Sequence, residues 1–196
     1  MPRPKQRTPA LRDHVLSAAV ELLANDGITG FTTRGVARRA DTSTPAVYEL
    51  FGNRAGLLRE VFFEGFRLLS RTLLALPSSA DPRTELLELA NAYRSFLRER
   101  PVLTQLMFSR PFADFDPSQS EQEAGAAVRT FIVERVRRAI DSGYLHGDAT
   151  DIAHVFIALV QGLLAAETAE RLGSTPASID RRWSLAVDAM LEGLGR

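Results

Sequence analysis

A chain of 196 residues with 45% hydrophobic residues can bury a real core, which excludes a protein that is disordered throughout. The absence of cysteine excludes disulfides, a thiol nucleophile and zinc sites built on cysteine. The 24 basic and 24 acidic residues cancel, but the first 60 residues carry nine basic and six acidic groups, the distribution expected of a local DNA-binding surface.

Helix start and stop signals recur along the chain. Asp148 is a capping residue, and glycines at positions 27, 143 and 173 stand where a left-handed residue ends a helix. Proline suits the first helical position because its φ is already fixed near the helical value. A capping residue followed by proline therefore predicts four further helix starts, at Thr8-Pro9, Asp81-Pro82, Asp116-Pro117 and Thr175-Pro176.

Between these signals the apolar residues recur at helical spacing, as at Leu11, Val15, Ala18 and Leu22. No convincing alternating pattern of a β-strand is found. The predicted fold class is therefore all-α, with an N-terminal helix-turn-helix domain and a C-terminal helical domain. About nine helices are predicted, over residues 8–26, 33–40, 44–50, 54–76, 82–99, 101–109, 117–142, 149–172 and 176–194.

Two short helices joined by a polar turn form the sharpest local pattern. The first helix covers residues 33–40, and the second follows a turn over residues 41–44. Small residues at Ala37 and Ala40 allow the helices to approach closely, and Ser43 or Thr44 can cap the second helix. Such a helix-turn-helix places the first turn of its second helix in the major groove of DNA.

The first third of the chain resembles the TetR family of transcriptional regulators. The resemblance rests on residues 16–27, 31–37, 43–48 and 51–58, which keep the family's order and spacing. It implies a DNA-binding domain over residues 1–53 and a helical domain for ligand binding and dimerisation over residues 54–196. It also implies contacts with phosphate, backbone or bases for Thr33, Arg34, Thr42, Ser43, Thr44, Pro45, Tyr48 and Arg54.

Three residues depart from the family's pattern in this region. Leu50 stands where His or Tyr is frequent, so one phosphate contact is expected to be missing. Glu49 is unfavourable beside DNA unless it accepts from a cytosine amine or pairs with an arginine. Asp41 replaces the usual turn glycine and must tolerate a left-handed backbone. The operator sequence therefore does not follow from these residues, although the fold is expected to persist.

The resemblance also implies a small-molecule cavity in the C-terminal helices. Residues 92–108 and 160–167 resemble one subgroup of the family, in which His is frequent at the position of Gln161. An excess of aromatic and methionine side chains favours a largely apolar effector held by a few polar groups. The same side chains would also fill an ordinary core, and that alternative stays open. The predicted ligand-binding residues are Phe62, Phe66, Tyr93, Phe96, Met107, Phe108, Phe131 and Gln161.

The last two predicted helices carry an apolar surface that is too wide for one packing partner. Two such helices from each chain would form an isologous four-helix bundle. A two-fold dimer also suits a helix-turn-helix that reads a palindromic operator in double-stranded DNA. The predicted interface residues are Val155, Phe156, Leu159, Leu163, Trp183, Val187 and Met190.

Other functional classes lack the residues that their chemistry needs. The three histidines are scattered, and no nucleophile elbow or phosphate-binding glycine loop occurs, so no metal, cofactor or enzymatic activity is expected. No secretory signal follows the basic N-terminus, and the longest apolar stretch, residues 155–166, is too short to span a membrane. A cytoplasmic repressor released from DNA by a small molecule is expected. The alternative is a ligand-independent DNA-binding protein, or an activator, of the same fold.

Overall fold

The computed structural model describes residues 8–108 and 118–195. This part of the chain forms nine helices and no strand, which confirms the predicted fold class. The predicted helix start at Asp116-Pro117 lies outside the described residues. The helices are α1 (Pro9–Gly30), α2 (Thr33–Arg39), α3 (Thr44–Phe51), α4 (Arg54–Leu74), α5 (Pro82–Glu99), α6 (Pro101–Phe108), α7 (Gln119–Asp141), α8 (Ala149–Thr168) and α9 (Pro176–Leu194).

Polar side chains bind the free backbone amides at the helix starts. The Asp148 carboxylate accepts hydrogen bonds from the amides of Thr150 and Asp151 at 2.8 and 2.9 Å, which confirms the predicted cap of α8. At the start of α9, Thr175 and Ser178 form a reciprocal capping box, in which each side chain binds the other residue's amide. The predicted prolines also stand at the first positions of α1, α5 and α9.

Two of the three predicted helix-ending glycines have the expected left-handed backbone. Gly27 has a φ of 68° and kinks α1, and Gly143 has a φ of 78° after α7. The prediction for Gly173 is wrong, because α8 ends earlier, at Thr168, and Glu170 takes the left-handed φ of 56°. Gly173 serves close packing instead: a Cβ there would lie 2.4 Å from the hydroxyl of the α9 capping box.

The described residues form two compact units, and the first contains the helix-turn-helix. It comprises the residues up to Phe66 and those from 100 to 121, and so includes α1, α2, α3, α6 and the first part of α4. Within this unit α1 packs on α2 and α6, and α2 packs on α3. α4 and α6 approach closely because Gly65 has no side chain: a Cβ there would lie 2.6 Å from Sδ of Met107. The domain boundary predicted after residue 53 stays a prediction.

The second unit comprises residues 67–99 and those from 122 onward. In it α8 packs on α5 and α9, and α5 packs on α9. The largest fully buried side chains of this unit include Tyr93, Phe96 and Phe156, which lie in α5 and α8. The core of this unit therefore includes the facing sides of these two helices, which pack on each other.

A buried ion-pair network joins α5 to α7 in the second unit. Glu85 and Arg135 are only 4% and 5% exposed. The Glu85 carboxylate accepts hydrogen bonds from Arg135 and, at 2.8 Å, from Arg138. Arg135 also donates to the carbonyl oxygens of Leu76 at 3.0 Å and of Pro77 at 3.2 Å. A single guanidinium therefore ties the chain that follows α4 to both helices.

A second buried arginine joins α5 to α8 and α9. Arg94 donates to the Glu167 carboxylate at 2.9 and 3.2 Å and pairs with Asp180 at 2.9 Å. Its guanidinium lies 4.6 Å from the ring centre of Trp183, close enough for a cation–π interaction. The indole N–H of Trp183 donates to Asn91 at 3.2 Å. The three helices thus meet around one arginine and one tryptophan.

By length and composition alone the 20 residues of α8 are able to cross a membrane, because the helix extends beyond the apolar stretch of residues 155–166 that was predicted to be too short. Ile152, Phe156 and Val160 on one of its faces are buried in the second unit. Only 28% of its most apolar window is buried, however, because Val155 and its neighbours on the other face remain accessible. A single helix of this kind is weak evidence for a membrane span.

Candidate nucleic-acid interface and effector site

α2 and α3 form the predicted helix-turn-helix in the first unit. The hydroxyls of Thr32 and Ser43 accept hydrogen bonds from backbone amides of α2 and α3 at 3.0 and 3.3 Å, so Ser43 rather than Thr44 caps the second helix. Asp41 has the expected left-handed φ of 45° in the turn. Ala37 and Ala40 are each 2% exposed, and their small size lets the two helices pack closely.

Most of the predicted DNA-contacting side chains lie on the surface of this unit. Tyr48 is 47% exposed although it is a large aromatic residue. Thr33 is the exception: it is 8% exposed, and its hydroxyl donates to the Tyr48 hydroxyl oxygen at 3.2 Å. The exposed residues of the predicted set are Arg34, Ser43, Pro45, Tyr48 and Arg54, and the half-buried ones are Thr42 and Thr44.

Arg54, at the start of α4, binds the backbone beside the kink of α1. Its Nε donates to the carbonyl oxygen of Phe31 at 2.8 Å, and its Nη2 donates to that of Ile28 at 2.9 Å. Carbonyl groups at a helix end lack helical partners, and Arg54 supplies hydrogen bonds to two of them. This structural role was not predicted from the sequence. The phosphate contact predicted for Arg54 stays a prediction.

A buried carboxylate at the start of α7 was also missed. Glu121 is 6% exposed and accepts from Arg59 at 2.6 and 2.9 Å and from the amide of Ser118 at 2.6 Å. The hydrogen bonds from Arg59 lower the pKa of Glu121 to about 2. The spacing of Ser118 and Glu121 is that of a capping box and was the only available signal. The contact with Arg59 joins residues 62 positions apart and has no local signature.

Three of the predicted ligand-binding residues of the first unit lie in one aromatic cluster. The ring centres of Phe62 and Phe66 are 5.2 Å apart, and those of Phe66 and Phe108 are 6.2 Å apart, both with edge-on geometry. Met107 is 3% exposed, whereas Phe108 is 38% exposed. The three phenylalanines form an apolar cluster that reaches the surface at Phe108.

In the second unit two of the predicted ligand-binding residues bind each other. Nε2 of Gln161 donates to the Tyr93 hydroxyl at 3.0 Å, and burial raises the pKa of Tyr93 to about 12. The ring of Phe131 is half-buried, with the Arg135 guanidinium 4.8 Å from its centre, and Phe96 is 2% exposed. The assignment of these residues to an effector stays a prediction.

A cleft of about 200 Å³ lies between α5 and α9 in the second unit. Arg83 and Asp188 on its wall are paired with each other at 2.5 Å. Sites for drug-sized ligands are larger, at about 300–1,000 Å³, and none of the predicted ligand-binding residues lines this cleft. Its lining residues are Arg83, Leu87, Ala90, Asn91, Trp183, Ser184, Val187 and Asp188.

The predicted dimer-interface residues divide into a buried and an accessible set. Phe156, Trp183 and Val187 are 1–2% exposed and lie in the core of the protomer. Val155 is 54% exposed, and Leu185 on α9, which is outside the predicted set, is 68% exposed. The accessible members of the predicted interface, for which the role stays a prediction, are Val155, Leu159, Leu163 and Met190.

Comparison with known protein families gives two matches, which together include the helix-turn-helix and most of the C-terminal helices. The family described as "Bacterial regulatory proteins, tetR family" matches residues 15–61, which include the helix-turn-helix. The family described as "Tetracyclin repressor-like, C-terminal domain" matches residues 86–190, more than half of the chain. The chain belongs to the TetR family. TetR-family proteins are DNA-binding transcriptional regulators, and they bind small molecules and act as dimers.

Individual proteins resemble this chain in sequence or in fold. The tetracycline repressor protein class C of Escherichia coli is 30% identical over 145 residues, which are 71% of this chain but only 58% of that repressor. A protein of unknown function from Rhodococcus sp. RHA1 superposes with a TM-score of 0.83 at 28% identity over the whole of both chains. A TetR variant from Acinetobacter baumannii AYE in complex with minocycline has a TM-score of 0.63 at 22% identity, covering 91% of this chain and 93% of that one. The last likeness shows the fold alone.

Proposed function

We propose that the protein is a homodimeric transcriptional repressor that binds a palindromic operator and is released from it by a small, largely apolar effector. The observation that carries the DNA-binding part is the exposure of Arg34, Ser43, Pro45 and Tyr48 on two capped short helices. The proposed division places DNA binding in residues 1–53 and effector binding and dimerisation in residues 54–196. The proposed location is the cytoplasm, and no catalytic role is assigned.

The proposed DNA contacts fall into two groups. Arg34 and Tyr48 are proposed to bind phosphates, which fix the position of the protein on the duplex and supply affinity that does not depend on sequence. Ser43, Thr44 and Pro45 stand at the start of α3, the part of a recognition helix that approaches base edges in the major groove. Thr42 and Arg54 are proposed to contribute to backbone contacts.

Arg34→Ala and Tyr48→Phe are expected to weaken binding to operator and to random-sequence DNA by similar factors, because phosphate contacts carry no base information. Loss of the Arg34 charge should also lower the slope of log affinity against log salt by about one, whereas Tyr48→Phe removes a neutral group and should leave the slope unchanged. Filter binding to a duplex of about 30 base pairs between about 50 and 200 mM salt measures both quantities.

Arg129→Ala is the matched control, because Arg129 is an exposed arginine on α7, outside the helix-turn-helix. We expect this variant to bind both kinds of DNA as the wild type does. Unchanged affinity for both Arg34→Ala and Tyr48→Phe would remove the proposed DNA surface from these residues.

Two local arrangements support effector binding. The cluster of Phe62, Phe66 and Phe108 supplies aromatic surface that reaches solvent. The pair of Tyr93 and Gln161 supplies polar groups, with Tyr93 buried in the second unit. Small-molecule sites usually combine apolar surface with a few polar groups of this kind. The name of the class C tetracycline repressor and the minocycline complex of the fold neighbour agree with control by a small molecule.

A compound that binds the repressor is expected to raise its melting temperature and to lower its affinity for DNA. Release requires that the compound bind the DNA-incompetent arrangement more tightly, and a tenfold preference corresponds to about 1.4 kcal/mol. A thermal-shift screen of apolar compounds, followed by filter binding with each stabilising compound, measures both effects. Stabilising compounds that leave DNA affinity unchanged would favour the alternative, a ligand-independent regulator or an activator of the same fold.

A further inference from the structure

We propose that Thr33 does not bind DNA itself but is a positioning residue that holds the Tyr48 hydroxyl in the orientation needed to donate to a phosphate. The inference rests on the proposed function, because it concerns the DNA contact assigned to Tyr48. It departs from the role that the family resemblance implies for Thr33, which is a direct phosphate contact. The contact between Tyr48 and phosphate would then depend on Thr33 as well as on Tyr48.

The burial of the two side chains separates their roles. Thr33 is only 8% exposed as a residue and lies where α2 packs on α3, so little of its surface is free to meet a phosphate. Tyr48 is 47% exposed and is the outer member of the pair. The 3.2 Å hydrogen bond between their hydroxyl oxygens therefore runs from an inner group to an outer one.

The direction of this hydrogen bond decides what Tyr48 can do. The Thr33 hydroxyl donates and the Tyr48 oxygen accepts, so the phenolic hydrogen is left to point away from Thr33. A hydroxyl that already accepts one hydrogen bond becomes a better donor through polarisation. A phosphate oxygen is a suitable acceptor for this hydroxyl. In the resulting series of hydrogen bonds, the Thr33 hydroxyl donates to Tyr48 and the Tyr48 hydroxyl donates to the phosphate.

The fixed position of Thr33 makes it a suitable anchor. Thr33 is the first residue of α2, directly after Thr32, whose side chain caps the helix by accepting from the amide of Gly35 at 3.0 Å. The Tyr48 ring, by contrast, is half in solvent, and ordering such a side chain on binding costs affinity. A hydrogen bond to Thr33 before DNA arrives reduces that cost, since it selects one orientation of the hydroxyl in the free protein.

The test is a double-mutant cycle with Thr33→Val, Tyr48→Phe and the double variant, and with Thr33→Ser as the matched control. Valine keeps the shape of threonine but removes the hydroxyl, whereas serine keeps the hydroxyl. Affinity is measured by filter binding to a random-sequence duplex of about 30 base pairs at low salt, where contacts with phosphate dominate. Thermal unfolding of each variant verifies that it is folded at the assay temperature.

We expect Thr33→Val to weaken binding by about threefold to tenfold, the range for one neutral hydrogen bond, without a change in the salt slope. Thr33→Ser should bind nearly as the wild type does. The double variant should bind no more weakly than Tyr48→Phe alone, because Thr33 acts only through the Tyr48 hydroxyl.

Effects of Thr33→Val and Tyr48→Phe that multiply in the double variant would overturn the inference, because Thr33 would then act independently. Equal weakening by Thr33→Ser and Thr33→Val, or no weakening by Thr33→Val, would also overturn it. In each of these cases the wild-type protein still binds DNA, so the proposed function stands. A wild-type protein that binds no duplex would instead remove the proposed function and this inference together.

Discussion

Leu159→Arg is expected to convert the proposed dimer to monomers and to lower operator affinity by a factor of about one hundred or more. Leu159 lies on the accessible face of α8 with Val155, which is 54% exposed in the protomer. A charge placed without a partner in an apolar interface costs several kcal/mol. A monomer then holds one half-site instead of two, and the loss of two-site binding lowers affinity by about 10²- to 10⁴-fold. Sedimentation velocity and filter binding to the operator measure the two effects.

His154→Arg is the matched control for this experiment. His154 is exposed on the same helix, about 140° around the helix axis from Leu159 at about 100° per residue. The control adds the same side chain to α8 but away from the apolar face, and the variant should remain dimeric and bind the operator. If the wild-type protein is monomeric at micromolar concentration, the proposed interface is wrong.

Glu85→Ala is expected to lower the free energy of unfolding by about 3–5 kcal/mol, the cost of leaving a buried charge without its partner. The partner is Arg135, which is 5% exposed and donates to Glu85 and to the two carbonyl groups that follow α4. Without the carboxylate the guanidinium must stay buried with two neutral acceptors or move out and break both contacts. Urea denaturation at equal protein concentrations measures the change, since the stability of a dimer depends on concentration.

Glu134→Ala is the matched comparison, because it removes a carboxylate of the same size whose ion pair is exposed to solvent. The pair of Glu134 and Arg137 is 53% and 51% exposed and lies within α7, and such pairs contribute about 0–1 kcal/mol. The double variant Glu85→Leu/Arg135→Met should recover much of the lost stability, because apolar residues of similar volume remove both charges together. A cost for Glu85→Ala no larger than that for Glu134→Ala would contradict the network.

The helices and their start points were predictable because their determinants are local. Asp148, Thr175 and the prolines that follow caps act within one turn of the backbone, so a sequence pattern contains all of the interaction. Gly173 shows the limit of such reasoning. A glycine after a helix has the same local pattern whether it provides a left-handed turn or allows a close approach, and only the position of the α9 capping box distinguishes the two.

The faces of α8 were less predictable, because adjacent apolar residues point about 100° apart around the helix axis and so belong to different faces. Val155 and Phe156 are adjacent and both apolar, yet one is 54% exposed and the other 1%. The sequence predicts an apolar surface that is too wide for one packing partner. Which residues of that surface are buried within the protomer depends on how α5 and α9 pack on α8. The predicted interface therefore mixed residues of the protomer core with residues of the accessible face.

The long-range ion pairs were not predictable from any local pattern. Arg59 and Glu121 are 62 residues apart, and Arg94 and Glu167 are 73 residues apart. Arginine at the position of Arg54 is equally compatible with a phosphate contact and with the carbonyl oxygens that it binds here. Such contacts depend on the packing of whole helices, which the spacing of residues along one helix does not determine.

The indole of Trp183 gives the protein an optical probe of its own. It is the only tryptophan among the 196 residues, and its ring is 2% exposed beneath the Arg94 guanidinium. A buried indole emits at shorter wavelength than one in water, so all of the intrinsic tryptophan emission comes from the point where α5, α8 and α9 meet. Opening of that junction shifts the colour of the emitted light, and no label, engineered residue or added dye is needed to follow it.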